Sequence, residues 1–92
     1  MATPTASGSR PDPAQIADDL RQQLAELSEG KLSADSIDEA GHLFDYGYVD
    51  SLSAVTFLAQ IEDRYGVRID DVDLVERLNT LRAIAQHVHE NL

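Results

Sequence analysis

The stretch Leu43-Phe44-Asp45-Tyr46-Gly47-Tyr48-Val49-Asp50-Ser51-Leu52 runs out of a loop and into an apolar-rich segment that continues to Tyr65. Asp50 has the chemistry of a helix N-cap, because its carboxylate accepts the unpaired N–H groups of a first turn. Ser51 then falls in that first turn, near the positive end of the helix dipole. A covalently attached phosphate is electrostatically tolerated at such a place. Asp-Ser ahead of an apolar run is by itself an ordinary helix start. Asp50-Ser51-Leu52 therefore gains a functional meaning only from its surroundings.

Working outward, the segment from Ser51 to Tyr65 reads as a helix. Leu52, Val55, Leu58, Ala59 and Glu62 trace one strip and Phe57, Ile61 and Tyr65 a neighbouring one. Together they make a face broader than one buried seam requires. Gly66 supplies the stop signal. Val67 and Ile69 re-enter the core, and Asp70 to Asp73 opens a short helix with Leu74, Val75 and Leu78. Asn79 and Thr80 cap a last helix, where Leu81, Ile84, Ala85 and Val88 follow the i, i+3, i+4, i+7 pattern.

Upstream, residues 31–49 keep no period. Leu32, Ile37, Leu43 and Phe44 are placed to pin this long loop to the core, and its length implies a short helical turn within it or a functional role. Before it, Ile16, Leu20, Leu24 and Leu27 recur at helical spacing, with Pro13 at the start, Asp12 as cap and Gly30 as the stop. Residues 1–12 are rich in Ala, Thr, Ser, Gly and Pro, and a disordered tail is expected there. The pattern predicts one all-α domain over 13–92, a bundle of three main helices and one short helix, with a long loop between the first and second. No strand signal and no internal repeat is present.

Composition narrows the function. A chain of 92 residues builds one thin core, here from Leu, Ile, Val and Ala, since it has three Tyr, two Phe and no Trp. The formal net charge of −10 disfavours nucleic acid and anionic membrane, and favours partners with Lys and Arg patches. Absence of cysteine excludes disulfides, thiolate metal sites and a Cys nucleophile. No apolar run approaches a membrane span, and residues 1–13 lack the apolar centre of a signal peptide, so a cytoplasmic protein is expected.

Other chemistry is poorly supported. His87 and His89 are two apart on a helix and diverge too far to share a metal; favourable charge near a helix C-terminus is their expected role. His42 reads as a lone, solvated loop histidine. Asp70-Asp71-Val72-Asp73 lacks the glycine and spaced glutamate of a calcium loop. Asp45 with Asp50 has no companion group to make an acid–base pair, and no base is placed to activate Ser51 as a hydrolase nucleophile. No metal site and no catalytic residue is expected.

Taken with its flanks, the stretch resembles the acyl carrier protein family. In that family the serine of Asp-Ser-Leu, opening the second helix, is modified by a phosphopantetheinyl transferase. Asp50-Ser51-Leu52 matches it residue for residue. Leu43-Phe44-Asp45 resembles the family's lead-in, Ile61 to Ile69 its end of helix two, and Leu78-Asn79-Thr80 its hinge into the last helix. The resemblance implies that Ser51 carries 4′-phosphopantetheine from coenzyme A, whose thiol holds acyl or aminoacyl groups as thioesters. It implies that Asp50 helps to hold the metal and orient the serine during that transfer. It also implies an acyl pocket among Phe57, Ile61, Ile69 and Leu78, and a docking face at Leu52, Val55, Ala59, Glu62 and Asp63. The implied partners are the transferase, a loading enzyme and a downstream synthase, visited by a monomer.

Two departures separate the chain from fatty-acid carriers. Gly47 lies four residues before the serine rather than three, and Ser53, Ala54 and Thr56 stand where acids are common. The Gly47 spacing resembles D-alanyl carriers and discrete carriers of specialised pathways, such as polyketide, nonribosomal peptide or antibiotic biosynthesis, and the missing acids argue against fatty-acid synthase enzymes as the partners. The alternative is an acidic helical interaction module without a covalent cofactor.

Overall fold

The computed structural model describes residues 11–92. Of the tail expected over 1–12, residues 1–10 lie outside the described residues. Asp12 lies within them and caps the first helix. Four α-helices follow in order: α1 Pro13–Leu27, α2 Ser51–Tyr65, α3 Asp71–Glu76 and α4 Leu81–Glu90. A 3-10 turn at Ala34–Ser36 interrupts the long α1–α2 loop. The described residues contain no strand, and the architecture is the all-α bundle that the sequence predicts.

Asp12 Oδ1 accepts from the Gln15 amide at 2.8 Å, and Gln15 Oε1 accepts from the Asp12 amide at 3.0 Å. This reciprocal capping box starts α1 with Pro13 already holding a helical φ. Ile16, Leu20 and Leu24 are buried, and α1 packs chiefly against α4. The helix stops before Gly30. Ser28 is its C-cap, and the chain turns into left-handed backbone at Glu29 and Gly30. In α4 the stripe Leu81, Ile84, Ala85 and Val88 is buried, and Thr80 Oγ1 caps it by accepting from the Ala83 amide at 3.1 Å.

The long loop is stapled rather than free. Ile37, Leu43 and Val49 are buried in the core. The Glu39 carboxylate meets Arg21 of α1 at 2.7 Å and Arg82 of α4 at 3.3 Å, and the Glu39 carbonyl accepts from the Arg82 amide. The Leu43 amide donates to the Asn79 carbonyl at 2.8 Å. Each contact joins segments far apart in sequence, so the loop's path is fixed by the helices that flank it.

In α2 the inward face is Ala54, Phe57 and Ile61. Its far end is tied to α1 through Asp19. That carboxylate accepts from the Tyr65 hydroxyl at 2.7 Å, from Gln23 Nε2 at 2.9 Å and from Arg64 Nη1 at 2.8 Å. Burial, and then the Asp19 hydrogen bond, push the Tyr65 phenol well above its usual range.

Candidate functional site

The site is assembled by the last part of the loop and the first turn of α2. His42 begins a tight turn: its carbonyl accepts from the Tyr46 amide at 2.9 Å, and its Nδ1 accepts from the Phe44 and Asp45 amides at 3.2 Å each. His42 is half-buried, with its ring tilted against that of Phe44. The solvated histidine expected from sequence is instead a cap for this turn.

The turn closes at Gly47, whose φ of 75° lies in the left-handed region that glycine enters without a Cβ clash. The Tyr48 and Val49 amides then both return to the Leu43 carbonyl. Val49 is buried and anchors the chain immediately ahead of the helix.

Asp50 caps α2 as its residue type dictates. Its Oδ1 accepts from the Leu52 amide at 3.0 Å, the Ser53 amide at 2.8 Å and the Ser53 hydroxyl at 3.1 Å, while Ser53 Oγ accepts from the Asp50 amide. The Ser53 amide and hydroxyl hold the Asp50 carboxyl below its usual range. Asp50 is thus ionised at neutral pH and fixed in place. Ser51 is the first residue of α2 and is exposed, and its side chain makes no hydrogen bond among the described residues. Leu52, at 79% exposure, projects beside it.

Two hollows flank this serine. A cavity of about 160 Å³ between α2 and α3 is lined by Ser51 together with Phe44, Ala54, Val55, Leu74 and Val75. On the opposite side, a groove of about 730 Å³ runs between the end of α1, the loop and α2. Phe44 lines both.

Phe57, Ile61, Ile69 and Leu78 are all buried in the core, and none of them lines the opening at Ser51. Phe57 and Ile61 face the same way as Ala54, and all three are buried. Val55, Ala59, Glu62 and Asp63, expected to form a docking face, are all exposed along the outer face of α2. Val72 and Val75 of α3 extend this apolar surface, at 59% and 55% exposure. The acids Asp70, Asp71 and Glu76 are exposed around them.

This arrangement suits a covalently tethered arm. The serine hydroxyl is open to a large enzyme, and the helix terminus tolerates a phosphodiester. His87 and His89 lie on α4 as expected, with His89 against the Pro11 carbonyl. No group of His, Cys, Asp and Glu suited to hold a metal is found among the described residues. No described helix is long and apolar enough to cross a membrane.

Comparison with known proteins agrees with this geometry. Residues 18–88 match the family model described as a phosphopantetheine attachment site. Among curated proteins, the chain is similar to an acyl carrier protein of Streptomyces coelicolor. The two are 37% identical over 82 residues, which is 89% of this chain and 87% of that protein.

Proposed function

We infer the function from one premise: this chain belongs to the phosphopantetheine-attachment family of acyl carrier proteins. The family carries 4′-phosphopantetheine covalently, and its members are carriers rather than enzymes. The group's thiol holds cargo as a thioester, and this chain has no cysteine of its own. A phosphopantetheinyl transferase and synthase enzymes are the general partners of such a carrier.

Ser51 is the attachment point in this reading, within a carrier domain spanning 13–92. The observation that carries it is an exposed serine at the first position of α2, held beside a carboxylate fixed by three hydrogen bonds. Asp50 is oriented outward on the same turn, where it would help position the metal that the transferase brings. Leu52, Val55, Ala59, Glu62 and Asp63 form the docking face. Its apolar centre and acidic rim suit a partner with an apolar knob ringed by Lys and Arg. The carrier acts as a monomer in the cytoplasm.

The cargo is short. An apolar cavity of about 150 Å³ accepts a molecule the size of benzene, and the cavity at Ser51 is about 160 Å³. That limit, with the Gly47 spacing, supports acyl or aminoacyl units of a specialised pathway, such as polyketide or nonribosomal peptide synthesis, over long fatty chains. An acidic docking module without a cofactor explains the charge but not the family membership.

Methyl NMR of butanoyl- and dodecanoyl-loaded protein tests the size limit. The shorter chain should shift Val55, Leu74 and Val75, and the longer one should add nothing at Ile61 or Leu78. New shifts at Ile61 and Leu78 with dodecanoyl would mean that the bundle opens for long cargo.

A further inference from the structure

We propose that His42 is a positioning residue for Ser51, and that it works only while its imidazole is unprotonated. The argument begins with its hydrogen bonds. His42 Nδ1 accepts two backbone amides, those of Phe44 and Asp45, at 3.2 Å each. An imidazole nitrogen accepts only through its lone pair, so the ring proton sits on Nε2. A second proton would have to go onto Nδ1, where two N–H donors already point. Both bonds are then lost together, and two amides of the turn are left without a partner.

One contact opposes this. Asp45 Oδ1 lies 3.8 Å from the same nitrogen and attracts the charged form. Among the described residues it is the one charged group within ion-pair distance of the ring. Asp45 is exposed, so solvent weakens that attraction. Its gain is also incompatible with the cap, because the new N–H must turn from the amides to the carboxylate.

The consequence reaches Ser51 along a short path. The capped turn sets Phe44, whose ring rests against His42 and lines both hollows that flank Ser51. It also sets the Leu43 carbonyl that receives the Tyr48 and Val49 amides just before Asp50. Protonation of His42 loosens this lead-in without touching the α2 cap itself. Its effect on cargo handling rests on the reading of Ser51 as the attachment point. The cap does not, and the test below needs no loading.

Hydrogen exchange of the Phe44 and Asp45 amides, corrected for intrinsic rates, is measured by NMR from pH 8 to pH 5 in the full chain. Losing a cap of typical strength lowers protection about fivefold. In the natural chain, protection should fall by that factor along the same curve as the His42 ring shift. In His42→Asn, which keeps an acceptor but cannot titrate, protection should stay level across the range. In His42→Ala it should be low throughout. Constant protection in the natural chain while His42 titrates, or an equal fall in His42→Asn, would overturn the proposal.

Discussion

Asp19→Ala tests what holds α2 against α1. Asp19 receives three hydrogen bonds, from Tyr65, Gln23 and Arg64. The Arg64 side chain is more than half exposed, so that pair contributes at most about 1 kcal/mol. Gln23 matters more. It is 4% exposed, and its Oε1 has no partner among the described residues. Loss of the carboxylate leaves the whole amide unpaired, which costs about 1–3 kcal/mol. The Tyr65 hydroxyl is half-buried and recovers part of its loss from water. The sum is about 2–4 kcal/mol, and for a domain of this size it lowers Tm by about 8–30 °C. The assay is thermal and urea unfolding followed by circular dichroism. Gln23→Leu supplies the control, since removing both partners of a buried hydrogen bond is nearly neutral. Asp19→Ala should cost about 1–2 kcal/mol less in the Gln23→Leu background. A cost under about 0.5 kcal/mol, or the same cost in both backgrounds, would refute this account of the α1–α2 junction.

Three more outcomes follow from the same structure. Tyr65 has its folded-state pKa raised, so it favours the folded chain below the ordinary phenol value. That contribution declines as pH rises through about 10, where the unfolded chain ionises first, and Tyr65→Phe should flatten this alkaline loss in urea titrations. Gly47→Ala meets no atom within 4 Å, so its cost is the left-handed backbone alone. Urea unfolding should read about 1–2 kcal/mol, with the secondary-structure spectrum unchanged. Val55→Glu alters a side chain that is 62% exposed and should leave Tm within a few degrees. It should slow loading by a transferase about tenfold, the effect of an interface residue worth about 1.4 kcal/mol; an unchanged rate would remove Val55 from the docking face.

The helices were legible because their apolar residues keep one period. In α1 and α4 a single narrow stripe is apolar, and the structure buries it. α2 was harder. Leu52 and Val55 on one side, and Phe57 and Ile61 on another, are equally apolar in sequence. Which side turns inward is decided by where α1 and the loop lie, and no local pattern records that. Hence sequence alone does not separate Phe57 and Ile61, which the structure buries in the core, from Val55, which lines the cavity at Ser51 with Leu74 and Val75. The Asp19 junction was invisible for a related reason. Its partners Arg64 and Tyr65 are more than forty residues away and look like ordinary helix-end residues. Asp50 and Ser51 were readable because a cap is a local event, governed by side chains within three residues of each other.

The most direct measurement of the central claim is the intact mass of the folded protein after incubation with coenzyme A, magnesium and a broad-specificity phosphopantetheinyl transferase. The natural chain should gain the mass of one phosphopantetheine. Ser51→Ala, with an unchanged Tm, should gain none. A folded chain that gains no mass, or a Ser51→Ala variant that gains it, would contradict the assignment of Ser51 as the attachment point.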